Sequence, residues 1–229
     1  MPIRQITIVG TGLIGGSFAL ALRKRKFKGR IVGCDREPAL KRAKTGGVID
    51  DGFVKLTEAV RGSQLVMLAT PVLAIVDLIG QLGPILPADA LLTDVGSTKT
   101  AVTEQALSVF GKNAGKRFLG GHPMAGKEQS GVEFANADLF QNAVWFLTPV
   151  AAQNLQRGLF AEFAGWIDEI GARVAMLPPD EHDRLCAWIS QVPQMISTAL
   201  AAALVEEFGE EAPPPAPVSY THLTLPTKA

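Results

Sequence analysis

The chain has 229 residues, with 22 Lys and Arg against 22 Asp and Glu and hence no net charge. That length can bury a sizeable core in one large domain, or in one domain and part of another. The charge balance gives no basic footprint for nucleic acid or an anionic membrane. Two cysteines, Cys34 and Cys186, make no disulfide framework and fit a reducing compartment. The opening MPIRQ carries no signal-peptide core and no apolar run is counted as bilayer-spanning, so a cytoplasmic location is expected.

Taken in chain order, Ile6 to Val9 predicts a buried strand. Gly10, Gly12 and Gly15 follow with the spacing G-x-G-x-x-G, and a helix runs on through Phe18 to Leu22. The first glycine permits the tight turn, the second lets a pyrophosphate approach the backbone, and the third lets helix pack on strand. The helix start, with Leu13 and Ile14, offers unpaired N–H groups to phosphate. A second strand, Ile31 to Cys34, ends in Asp35, 20 residues after the last glycine, where a ribose-binding carboxylate is expected. Asp35 argues for NAD, and the neighbouring Arg36 softens that preference toward NADP. The alternative is a βαβ unit in which Asp35 only caps the next helix.

Strands and helices then alternate. A helix is expected over Ala39–Lys44, an irregular or strand segment over Val48–Lys55 and a short helix over Thr57–Val60. Strand Leu65–Ala69 is broken by Thr70-Pro71, and helix Val72–Leu82 follows. Strand Leu91–Asp94 leads through DVGSTK into helix Lys99–Phe110, capped by Ser97 or Thr98. Strand Phe118–Gly120 runs into the loop GGHPMAG. This order predicts an α/β fold with a doubly wound parallel sheet. Its ligands bind beyond the carboxyl ends of the strands, where the glycine loop, Asp35, Thr70-Pro71, DVGSTK and GGHPMAG converge. A later strand Val144–Leu147, a helix Asn154–Ile170 and an edge strand Arg173–Met176 complete the first expected domain, residues 1–176. The second, residues 177–211, consists of a long apolar helix over Glu181–Phe208 kinked at Pro193. It reads as the start of a domain that continues in the natural protein. Residues 212–229 have no periodicity and read as a non-native tail.

His122, between Gly121 and Pro123, is the strongest candidate for chemistry, because imidazole accepts a proton near neutral pH. His182, in EHD, reads as a capping or packing residue, and His222 belongs to the tail. Ser97 is either a hydroxyl for a substrate or a helix N-cap. Lys99 and Lys127 are cations near the same edge, available to substrate carboxylates or simply solvated. No metal-ligand spacing and no hydrolase elbow is present.

In order, ITIVGTGLIGGSFALAL, VGCDR, ATPV, DVGSTK, FLGGHPMAGKEQSG and HDRLCAWISQVPQ resemble the prephenate/arogenate dehydrogenases of tyrosine biosynthesis. The resemblance covers roughly Ile6 to Phe208. It implies a Rossmann-type domain followed by the start of an all-α dimerisation domain, hence a homodimer. It also implies oxidation of prephenate by NAD with loss of carbon dioxide to give 4-hydroxyphenylpyruvate. His122 would accept the hydrogen bond of the ring hydroxyl, and Ser97 would orient hydroxyl and histidine. Where such dehydrogenases often carry S-H-x-P-H, this chain has Ser190-Gln191-Val192-Pro193-Gln194, so Gln191 and Gln194 would bind substrate without titrating. The family's substrate-binding arginine lies past the end of this chain. Arogenate oxidation, another small-molecule dehydrogenase of the same fold, and a nucleotide-binding module without catalysis are the alternatives. A β-hydroxyacid type is disfavoured, because no lysine lies between Pro179 and the tail.

Overall fold

The computed structural model describes residues 3–150, 153 and 155–209. Two compact units are present, Met1–Asp183 and Arg184–Ala229. The expected non-native tail, 212–229, lies outside the described residues, as does Asn154, the expected start of a helix.

The first unit is built as β1 (Gln5–Val9), α1 (Leu13–Lys24), β2 (Arg30–Cys34), α2 (Glu37–Thr45), β3 (Asp51–Phe53), α3 (Leu56–Ala59), β4 (Leu65–Leu68) and α4 (Val72–Leu82). It continues as β5 (Leu91–Asp94), α5 (Thr100–Phe110), α6 (Ala114–Arg117), β6 (Phe118–Pro123), β7 (Val144–Thr148), α7 (Gly158–Glu169) and β8 (Arg173–Met176). The boundary between the units falls within α8 (Pro179–Cys186). The eight strands form one sheet in the order β3-β2-β1-β4-β5-β6-β7-β8. Strand order reverses beside β1, which creates the crevice where such sheets bind ligands.

Strand periodicity assigns the two faces. Ile6 and Ile8 point to a core shared with Phe18 and Leu22 of α1 and with Phe163 and Ile167 of α7. Val9 faces the other layer, with Ile75 and Ile79 of α4 and Val102 and Ala106 of α5. Thr7 lies on that second face, and its buried hydroxyl donates to Ala59 O at 2.7 Å. Trp145 is fully buried, with ring centroids 5.8 Å from Phe18 and 5.1 Å from Phe140. Each such buried large side chain is worth roughly 1.5–3 kcal/mol of transfer free energy.

The pairings are parallel except between β6 and β7, which run antiparallel. This exception relocates the key histidine. β6 pairs with β5 only at Phe118 and Leu119, but β7 carries it on through Pro123, with His122 opposite Phe146. His122 is therefore the penultimate residue of a strand and not a loop residue, so the sheet itself fixes its backbone.

In the second unit, a π-helical turn over Ala187–Gln191 leads into α9 (Val192–Phe208), with Pro193 in its first turn. The expected interruption by Pro193 takes this form, because proline lacks the N–H that regular α-helix pairing needs. Met195, Ile196 and Phe208 are exposed apolar side chains on α9. The helical run Pro179–Phe208 spans 30 residues and contains an 18-residue window of mean hydropathy 1.2, long and apolar enough by length and composition to cross a membrane. This differs from the expectation that no apolar run is long enough to span a bilayer. Core helices of water-soluble proteins pass the same test.

Candidate active site

The glycine turn joins β1 to α1 above the sheet crevice. Gly10 has φ +94°, and a Cβ there would lie 2.4 Å from Ala69 O; a Cβ on Gly15 would lie 2.2 Å from Gly10 O. Both glycines are required by the fold. Gly12 differs: its φ is an ordinary −74°, and a Cβ would meet no atom within 4 Å. Its lack of a side chain keeps open space in front of the α1 N-terminus, where no side chain caps the first-turn N–H groups. The adjoining groove, of about 740 Å³, is lined by Gly10, Thr11, Gly12, Asp35, Arg36, Arg42, Thr70 and Pro71, among others. Thr70 Oγ1 is buried there without a protein partner. An uncapped helix end, an open glycine and an orphaned hydroxyl fit a dinucleotide.

Asp35 is held in place. Its Oδ2 accepts from Thr11 N at 2.8 Å and Thr11 Oγ1 at 3.0 Å, and its Oδ1 accepts from Arg36 N at 2.7 Å. A carboxylate has about four lone-pair sites, so acceptor capacity remains for ribose hydroxyls. Asp35 thus orders the glycine turn as well as facing the groove.

His122 projects from the end of β6 onto His182 of α8. His122 Nδ1 lies 2.9 Å from His182 Nε2, with the rings crossed at 72°. His182 is fully buried, its ring 5.3 Å from that of Phe146. On its far side, His182 Nδ1 lies 2.8 Å from Asp183 Oδ1. The same carboxylate accepts from the backbone N–H groups of Lys99 (2.6 Å) and Thr100 (2.9 Å) at the start of α5. The N-cap expected from Ser97 or Thr98 is therefore supplied from more than 80 residues away, and Ser97 stands exposed on the loop between β5 and α5.

Burial first, then His182 and the Lys99 ammonium, lower the His122 pKa to about 3. His182 is also lowered, chiefly by burial, with the hydrogen bond to Asp183 opposing. Burial would raise Asp183, but the Thr100 N–H, the His182 bond and the Lys99 N–H outweigh it, and its pKa is lowered. At neutral pH the group is an ionised carboxylate and two neutral imidazoles.

Lys99 is not the solvated cation expected. It is fully buried, with Nζ donating to Asp94 Oδ2 and, at 2.8 Å, to Gly121 O. Asp94 also accepts from Gly96 N at 2.8 Å and Gly121 N at 3.2 Å. The pair ties the end of β5 to the residue before His122. Lys127 donates to Phe134 O at 3.2 Å. Gln191 and Gln194 are exposed residues of the second unit. Sequence reasoning missed Asp183 altogether, although the adjacent pair His182-Asp183 was a visible signal.

The fold and groove define a Rossmann-type nucleotide-binding domain with a histidine at the sheet's ligand edge. The family model described as "Prephenate dehydrogenase, nucleotide-binding domain" matches residues 18–176. Prephenate dehydrogenases of Lactococcus lactis subsp. cremoris and Bacillus subtilis are 35% and 36% identical, over 86% and 85% of this chain and 53% and 52% of theirs. Prephenate dehydrogenase from A. aeolicus, solved with hydroxyphenyl propionate and NAD+, superposes with TM-score 0.80 and 32% identity, covering 90% of this chain and 71% of that one. The chain belongs to the prephenate dehydrogenase family, and it spans about half the length of these curated relatives.

Proposed function

We propose that this protein oxidises prephenate with NAD, releasing carbon dioxide and 4-hydroxyphenylpyruvate, in tyrosine biosynthesis. The observation that carries this reading is His122: a neutral imidazole fixed at the sheet's ligand edge, in a chain of this family. Prephenate holds a hydroxyl and a carboxylate on opposite carbons of a cyclohexadiene ring. The ring carbon bearing the hydroxyl loses hydride while the hydroxyl proton is shared with a base, the carboxylate departs as carbon dioxide with its bond electrons completing the aromatic ring, and the proton returns to the oxygen to leave the phenol. NAD, when bound, supplies the hydride acceptor.

The chain's own residues do the rest. Gly10, Gly12 and Gly15, with the N–H groups at Leu13 and Ile14, receive the pyrophosphate, and Asp35 receives the adenosine ribose. Thr70 and Pro71 line the groove beside them, and Arg36 sits where a 2′-phosphate would come. His122 accepts the hydroxyl hydrogen bond and so favours hydride departure, a general-base contribution worth about 10²- to 10⁴-fold. Ser97 orients the hydroxyl, and Gln191 and Gln194 contact the substrate side chain. The protein works in the cytoplasm on a small molecule, and the exposed apolar face of α9 is buried in a homodimer.

The test is NADH formation, followed by absorbance, from prephenate and separately from arogenate, beside His122→Asn. Turnover of prephenate that His122→Asn reduces at least a hundredfold, with NAD affinity unchanged, is expected. Full activity in His122→Asn, or turnover of arogenate alone, overturns the assignment.

A further inference from the structure

The role of His182 and Asp183 follows from which atoms can donate. The Asp183 carboxylate already accepts two backbone N–H bonds, from Lys99 and Thr100. Those donors have no alternative protonation state, so they fix Asp183 as an acceptor. His182 Nδ1 must then be the donor in its bond to Asp183. A buried, neutral His182 has only one ring proton, so its Nε2 carries a lone pair. That lone pair faces His122 Nδ1 at 2.9 Å, and His122 must therefore donate from Nδ1. The one remaining position, His122 Nε2, is left unprotonated. Reversing the chain would require protonating Asp183 against two N–H donors, or charging His182 in a fully buried site.

We propose that Asp183 and His182 are positioning residues that lock His122 in its Nδ1–H tautomer and keep Nε2 as the hydrogen-bond acceptor. The consequence for catalysis rests on His122 receiving the substrate hydroxyl; the tautomer itself does not. The arrangement also explains why α8 must pack against the start of α5: one carboxylate serves helix cap and imidazole together.

Long-range ¹⁵N–¹H ring spectra of the full chain at neutral pH test it, with His122 assigned from His122→Asn. The expected result is a protonated Nδ1 and an unprotonated Nε2. Asp183→Ala removes the acceptor that holds the His182 proton on Nδ1 and releases both rings into a mixture of tautomers. His182→Phe leaves the α5 cap intact, removes the acceptor and releases His122 into a mixture of tautomers. Both variants lower kcat, by up to the roughly 10²- to 10⁴-fold that a correctly protonated general base contributes, while KM and NAD affinity stay within about threefold. An Nε2–H tautomer in the unmodified chain overturns the proposal, and so does an unchanged His122 spectrum in His182→Phe. If the spectra behave as expected but prephenate is not turned over, the lock stands and the assigned reaction falls.

Discussion

Replacing Lys99 by methionine should be among the most damaging single changes in the first unit. Both side chains of the Lys99–Asp94 pair are fully excluded from solvent. Methionine keeps the length and apolar stem of lysine but removes the charge and two donated hydrogen bonds, to Asp94 Oδ2 and Gly121 O. Asp94 then remains buried with only the N–H groups of Gly96 and Gly121. Stranding one partner of a buried pair costs about 3–5 kcal/mol. That is a large share of the roughly 5–15 kcal/mol by which a domain is stable. For a unit of this size it corresponds to a fall in Tm of roughly 6–20 °C. Urea unfolding followed by tryptophan fluorescence suits the measurement, since Trp145 is fully buried beside the same strand end. Adding Asp94→Asn to Lys99→Met should restore part of the loss, with a coupling of about 0.5–3 kcal/mol. A Lys99→Met variant within about 1 kcal/mol of the parent would refute the reasoning, because the pair would then be solvated in solution.

The glycine turn separates fold from binding. Gly10→Ala should unfold or strongly destabilise the chain, since its Cβ would meet Ala69 O at 2.4 Å and its φ is positive. Gly12→Val should leave the melting temperature nearly unchanged while abolishing NAD binding in a fluorescence titration. Asp183→Ala removes two backbone caps from α5 and should cost about 1–2 kcal/mol in urea unfolding. Acidification should destabilise the protein early. His122 has a folded pKa of about 3 against an ordinary 6.5, so the unfolded chain takes up the proton first. Stability is complete above pH 6.5 and falls by up to about 1.4 kcal/mol per pH unit toward pH 3 for this group. His122→Asn should flatten that slope, and the parent's activity should persist below pH 6.5 at pH values where an ordinary histidine is already charged.

Most strands and longer helices of the first unit were readable from local pattern because each is specified within its own span, whereas the four-residue α6 (Ala114–Arg117) was not expected. Leu65–Leu68 is a continuous apolar run, as expected of a strand covered on both faces. The helix Val72–Leu82 follows a proline that presets its first turn. The departures arise where a distant segment decides. β6 reaches His122 only because β7 pairs antiparallel with it, and nothing in GGHP announces that partner. DVGSTK looked like a self-capping helix start, whereas the cap arrives from Asp183 and the lysine turns inward to Asp94.

The same distinction explains why the site was half seen. A glycine turn is a local device, and its purpose can be read from three residues and a spacing. A histidine's chemistry is not local, since either nitrogen can carry the proton and the choice is made by whatever faces the other one. Here that choice comes from His182, 60 residues away, and behind it from Asp183 and the first N–H groups of α5. In sequence, His182 looked like a capping or packing residue because it lies in EHD at the first turn of a helix. In the fold it is the buried middle of a three-residue chain, and its burial is what keeps it neutral and the chain running in one direction. His122 sits where it does because of β7, and which of its nitrogens accepts is set by α8. The GGHP motif marks the residue, but the tertiary fold gives it its proton.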